Sequence, residues 1–208
     1  MRSSKRLASH NGALVQQSGP LDAGAPAVEA LEPRLLLSLI GVSPQFPLIS
    51  YDANEAVSYD AASDALHVSA TPLTLVSPPS LPESILLGQL TIDIQVDDTG
   101  TLVGGVPADD LVVVGKLASG SQVETLLTGE IIAFGYQDGG SGPYDQYDFV
   151  FTATGGSLLG AFAGLNIGVI LDSENSSFVG SFAANFGGGA KGTLGSTETP
   201  PGVEAAID

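Results

Sequence analysis

Gln89-Leu90-Thr91-Ile92-Asp93-Ile94-Gln95-Val96 is the stretch on which the fold turns. Leu90, Ile92, Ile94 and Val96 alternate with Gln89, Thr91, Asp93 and Gln95. Successive side chains of a strand point to opposite faces, so a period of two with one apolar and one polar set places one face in a core and the other in water. That is the habit of an antiparallel sheet. Asp97-Asp98-Thr99-Gly100 then supplies a turn, and Thr101 to Val103 begins a return strand.

The same period holds on the N-terminal side. Between Asp64 and Ala70, Leu66, Val68 and Ala70 share one face while His67 and Ser69 take the other. Pro72, Pro78, Pro79 and Pro82 predict a break or an edge after it. Tyr51-Asp52-Ala53 and Tyr59-Asp60-Ala61 repeat a tripeptide around Asn54-Glu55, which reads as a hairpin.

On the C-terminal side, Leu111-Val112-Val113-Val114 suits a buried strand. Gln122 to Tyr136 reads as one long strand or two, with Gly129 as a bend or bulge. Asp138-Gly139-Gly140-Ser141-Gly142-Pro143 is a loop. Tyr147, Phe149, Phe151 and Ala153 face inward from the next strand. Leu158 to Leu171 is interrupted by Gly160, Gly164 and Gly168 and is too short for a membrane helix, so a hairpin turning near Gly164 is expected. Phe178, Gly180, Phe182, Ala184 and Phe186 are read as one face of a strand, since a helix carrying these glycines would lose about 1 kcal/mol at each.

These elements predict an all-β protein: a single antiparallel β-sandwich of about ten strands, with a partly closed β-barrel as the second choice. Residues 1–42 form a disordered or short-helical lead, 43–195 the all-β domain, and 196–208 a linker or disordered tail. An outer-membrane barrel is not expected, because no outward apolar band or aromatic girdle is visible.

Charge narrows the partners. The chain carries a net charge of −17, and four of its six basic residues (Arg2, Lys5, Arg6, Arg34) lie in the lead. From Asp52 onward, Lys116 and Lys191 face twenty acids. Such a body has no cations with which to displace phosphate counterions, so nucleic acid is excluded as a partner. Cysteine and tryptophan are absent, which removes disulfides, thiol catalysis, cysteine-ligated zinc and the usual sugar-stacking platform.

The basic start, Arg2-Ser3-Ser4-Lys5-Arg6, is followed by a polar region and not by the apolar run and small-residue cleavage site of an ordinary signal peptide. The apolar run of the lead, Leu35 to Val42, follows Leu31-Glu32-Pro33-Arg34. Leu31, Glu32, Pro33, Arg34, Leu36 and Leu37, with Leu35 at the variable position, resemble the LEPR-XLL motif found near the N-terminus of exported or surface proteins of bacteria with elaborate envelopes. The resemblance implies export to the cell surface or beyond, with other surface or envelope components as partners, and implies no catalysis. A plain short helix over Val28 to Leu39, broken at Pro33, is the competing reading of these residues. Ile49-Ser50-Tyr51-Asp52, Tyr59-Asp60-Ala61 and Gly180-Ser181-Phe182 resemble uncharacterised all-β domains of exported bacterial proteins.

Chemistry-bearing residues are few. Gly187, Gly189 and Gly192 match the dinucleotide fingerprint by letter, but no helix can open after them, so they are turn glycines. His10 lies in the lead, and His67 is a lone histidine on a polar strand face. With no G-x-S-x-G elbow, no serine hydrolase is read. Asp97, Asp98, Asp138, Asp145 and Asp148 are the oxygen donors that turns might gather around Ca²⁺, although no D-x-D-x-D-G loop is present. The leading expectation is an exported, non-enzymatic structural or interaction protein without cofactor. The alternative is an extracellular module binding calcium or a glycan through acidic turns, and a hydrolase with paired carboxylates ranks last.

Overall fold

The computed structural model describes residues 39–140 and 142–199. The strands are β1 (Gln45–Asp60), β2 (Ala65–Val76), β3 (Glu83–Val96), β4 (Leu102–Gly105), β5 (Leu111–Leu117), β6 (Glu124–Gln137), β7 (Tyr144–Gly155), β8 (Asn166–Glu174) and β9 (Phe186–Thr197), with one helical turn, α1 (Leu159–Phe162), between β7 and β8.

All pairings are antiparallel. Around the sheet the order is β2-β1-β9-β8-β7-β6-β5-β3, and β3 pairs again with β2, so eight strands close on themselves. The short β4 adds to the upper part of β3. The protein is an up-and-down β-barrel, which corrects the expected sandwich. Alternation says only that each strand has one dry face, and two facing sheets or one curled sheet satisfy it equally. What decides is length and registry: strands of 12 to 16 residues, such as β1, β2, β3 and β6, are long enough to tilt around a barrel. Register shifts in most of the pairings supply the coiling that closure needs.

The opening strand behaves as read: Leu90, Ile92, Ile94 and Val96 are buried, while Gln89, Thr91, Asp93 and Gln95 point out. Two other expectations fail. Tyr51 and Tyr59 do not flank a hairpin; they sit on the single strand β1, both directed inward, with a bulge between Ala53 and Val57 absorbing the residues that looked like a turn. Phe178 and Phe182 do not lie on a strand. They belong to the loop joining β8 to β9, whose fourfold spacing reflects ring packing, and only Phe186 is on β9. Leu158 to Leu171 does turn near Gly164, but its first half is α1 rather than a strand. Gly129 is at a register shift in β6, as expected.

The lumen is filled. Ile49, Tyr51, Val68, Ile92, Val113, Phe149, Phe151, Val169 and Leu194 are buried within it, in keeping with an eight-stranded barrel just wide enough for side chains. Tyr51 reaches over Gly192 on the neighbouring β9 to donate to the Ile170 carbonyl of β8 at 2.9 Å. A Cβ at residue 192 would collide with that carbonyl oxygen and stand 2.7 Å from the hydroxyl, which is the reason for the third glycine of the apparent nucleotide fingerprint.

Both ends are stoppered by loop residues. At the end where β1 begins (the near end), Phe162 of α1 is buried. At the opposite, far end, Phe178 and Phe182 join Tyr59, Phe134, Tyr136, Tyr147 and Phe186 in one aromatic cluster. Tyr59 donates to the Val96 carbonyl at 2.8 Å, tying the end of β1 to the end of β3.

A second, smaller apolar cluster lies outside the wall. Residues 39–42 run over β6, β7 and β8, with Val42 buried against Ala133 and Val150. Ile40 passes over Gly135 and Val42 over Gly168; a Cβ on either glycine would approach within 2.7 and 2.8 Å of them.

Candidate functional site

Four of the five aspartates considered for calcium are engaged by the protein's own amides. Asp97 Oδ1 accepts from the backbone N–H groups of Thr99 and Thr101, each at 2.9 Å, and from the Thr99 hydroxyl. These bonds stabilise its charged form and hold its carboxyl below the ordinary range, with the Thr99 hydroxyl the largest contributor. Asp98 is exposed beside it. Asp138 accepts from Gly140 N–H within its own loop. Asp145 is buried and accepts from Gly139 N–H at 2.8 Å. Asp148 lies farther along β7 on the outer wall, where its carboxylate accepts from Leu39 N–H at 2.6 Å and anchors the 39–42 segment. Among the described residues no three or more His, Asp or Glu side chains are grouped to hold a metal ion.

A second acidic set surrounds Asp110. Its two oxygens accept from Val106 N–H at 2.7 Å and Ile131 N–H at 2.8 Å, clamping the β4–β5 connection to β6. Burial, followed by the neighbouring Asp110 and Asp109 charges, raises the carboxyl of Glu130 above its usual range. Asp109 accepts from the Thr154 hydroxyl. This is a carboxylate pair, but Asp110 is turned onto backbone amides and Glu130 stands on the open outer face. It does not form the cleft with two facing acids that a glycosidase requires.

The histidine is where the sequence reading missed a neighbour. His67 on β2 is directly opposite Asp93 on β3, and its Nδ1 is 2.6 Å from Asp93 Oδ1. Ser58 on β1 is directly opposite His67 on the other side. Hydroxyl, imidazole and carboxylate therefore occupy one row across three strands, above an open depression of about 630 Å³ lined also by Asp60, Ser63 and Asn185. The polar faces at His67 and Asp93 were legible while Ser58 fell within the misread hairpin, and only the strand registry aligns the three. Ser58 is midway along a flat ladder between Gly187 and His67. It lacks the sharp strand-to-helix elbow that lifts a nucleophile and brings oxyanion-binding amides to it.

Two hydroxyls inside the far end, Tyr147 Oη and Ser173 Oγ, are buried away from solvent. Burial, and then the Asp145 charge, pushes the Tyr147 hydroxyl far up, while the nearby Ser176 hydroxyl tempers the rise. Tyr59 is pushed up to about 12 by burial and by Asp64. Neither phenol ionises near neutral pH, so both serve as packing rings with a polar tip.

The fold and these sites define a closed, side-chain-filled β-barrel whose polar groups are mostly engaged in its own turns. Compared with protein-family models, curated proteins and solved structures, the chain matches none. The segment that resembles LEPR-XLL, Leu31 to Leu37, lies outside the described residues. Among the described residues no helix is long and apolar enough to cross a membrane.

Proposed function

We propose that this chain is an exported, non-enzymatic bacterial cell-surface or envelope protein with a structural or interaction role. The observation that carries the reading is the engagement of its chemistry. The lumen is packed with side chains, and Asp97, Asp110, Asp138, Asp145 and Asp148 all accept from backbone amides. A barrel of this kind offers partners its outer surface and loops, not an interior chamber. The polar outward residues of β3 support a barrel bathed by water on its outside.

Export rests on the resemblance of Leu31-Glu32-Pro33-Arg34-Leu35-Leu36-Leu37 to LEPR-XLL. Alanine at Leu31, Glu32, Pro33, Arg34, Leu36 and Leu37 is expected to leave the protein inside the producing cell, followed by cell fractionation and mass spectrometry of both termini. Undiminished export of that variant refutes the assignment.

The calcium- or glycan-binding alternative would draw on the second carboxylate oxygens of Asp97 and Asp138, whose first oxygens accept from backbone amides. Titration with calcium chloride is expected to leave the melting temperature unchanged, whereas a clear rise would favour the binding module.

A further inference from the structure

The two ends of the barrel differ in what they show to solvent. Following the strands in register, the near end carries the loops 77–82, 118–123 and 156–165, and the far end carries the turns 61–64, 97–101, 138–143 and 175–185. Among the described residues, eight of the eleven exposed large apolar side chains belong to the near end; Val103, Tyr144 and Val179 are the others. Leu81 at 86% exposure and Leu87 at 81% are the most prominent, with Phe46, Leu73, Leu86, Val123, Leu159 and Leu165 contributing the rest. Leu87 is also strained. Its φ of +53° lies in the left-handed region, and it is held there by the bulge between Leu86 and Gln89 in the β3–β5 pairing. A bulky residue in that conformation is a genuine outlier and carries a strain cost. The barrel keeps that cost and gains no burial for the side chain.

Charge is distributed the other way. Asp60, Asp64, Asp97, Asp98 and Asp138 gather at the far end, while the near end has Glu83, Glu124 and Glu198, with Lys116 between the strands of the first two.

We propose that the near end is a self-association surface through which two copies dock end to end about a two-fold axis. This goes beyond the assignment above and does not depend on export. Three observations select a second copy as the occupant. The eight side chains together expose the equivalent of about four whole residues, a large apolar share of the roughly 800 Å² that one partner contributes to a standard interface. The near end carries both signs of charge, so Lys116 of each copy can face Glu83 or Glu124 of the other, as an isologous contact demands. Docking at this end also places the two acidic far ends more than a Debye length of about 8–10 Å apart. The acidic far ends of the two copies are therefore screened from each other, whereas an anionic lipid surface would meet the net charge of −17.

Sedimentation equilibrium of the full chain tests this. Wild type is expected to approach twice the 21.0 kDa chain mass at micromolar concentration. Leu81→Glu with Leu87→Glu is expected to return it to one chain mass with an unchanged far-UV spectrum, and Val179→Glu at the far end to leave the dimer intact. Leu87→Gly, which suits a positive φ, is expected to weaken the dimer while melting no lower than wild type. A wild type that stays at one chain mass up to about 100 µM, a double variant that still dimerises, or binding to phosphatidylcholine vesicles in place of dimerisation overturns the proposal.

Discussion

Phe182→Ala isolates the stopper at the far end of the barrel. Phe182 is fully buried although its loop contributes no strand to the sheet. Its ring centroid lies 4.8 Å from Tyr136, 5.0 Å from Tyr59, 5.1 Å from Phe178, 5.3 Å from Phe186 and 6.1 Å from Phe134. Truncating a buried Phe to Ala costs about 3–5 kcal/mol, and each lost edge-to-face contact adds about 0.5–1.5 kcal/mol when its partner does not repack. The loop is not bound in a ladder and can settle into the gap, so the low end is expected, about 3 kcal/mol. For a chain of this size that lowers the melting temperature by roughly 6–12 °C. Urea unfolding followed by far-UV circular dichroism, at constant m-value, reads the loss. Val179→Ala, three residues earlier and 77% exposed, is the control and is expected within about 0.5 kcal/mol of wild type. A Phe182→Ala loss below about 1 kcal/mol, or one equal to the control, would mean that the ring does not seal the lumen.

Asp172→Asn is expected to raise stability at pH 7. Burial, then the charges of Asp148 and Glu174, lift the Asp172 carboxyl above its usual range against the opposing pull of Lys191. A carboxyl raised on folding destabilises the folded state above its folded pKa, and that penalty is relieved as pH falls through it. The gain over wild type should therefore shrink on acidification; a gain independent of pH refutes the electrostatic cause. Gly168→Val is expected to push Val42 off the outer wall, destabilising the protein by about 1–3 kcal/mol and speeding hydrogen exchange of the Leu39 amide; unaltered exchange would show that the segment does not depend on that groove. His67→Ala and Asp93→Asn each remove a pair whose side chains are both 45% exposed, so each is expected to shift stability by less than about 1 kcal/mol, a larger loss in either marking the row as more than a surface contact.

The regular strands were legible because their chemistry is local. Leu90 to Val96 and Leu66 to Ala70 show their buried faces by alternation, and Asp97 to Gly100 shows its turn by residue type. Closure was not legible, since it depends on which distant strands meet: Ser50 with Thr193, or Leu66 with Ile94. The misread hairpin has the same origin. Asn54-Glu55 carries good turn residues, yet β1 continues through them because β2 and β9 pair with it on both sides of the bulge. Aromatic spacing misled at Phe178 and Phe182, where three-dimensional ring packing set the interval. For the aspartates, residue type foretold turns correctly, but whether a carboxylate faces outward to a cation or inward to an amide is decided by loop geometry. The Ser58–His67–Asp93 row could be found only once the registry was known.

The seam between β1 and β9 has a consequence for how the molecule is made. The Ser196 hydroxyl donates to the Phe46 carbonyl at 2.8 Å across 150 residues of sequence. Synthesis at roughly 5–20 residues per second separates these two groups by roughly 8–30 s. Throughout that interval one long margin of β1, 16 residues from Gln45 to Asp60, has no neighbour to accept or donate its ladder bonds. The nascent chain is thus an open ribbon until its last strand leaves the ribosome. Quality is settled in one late event, and a chain truncated anywhere before β9 would present that margin permanently to its surroundings.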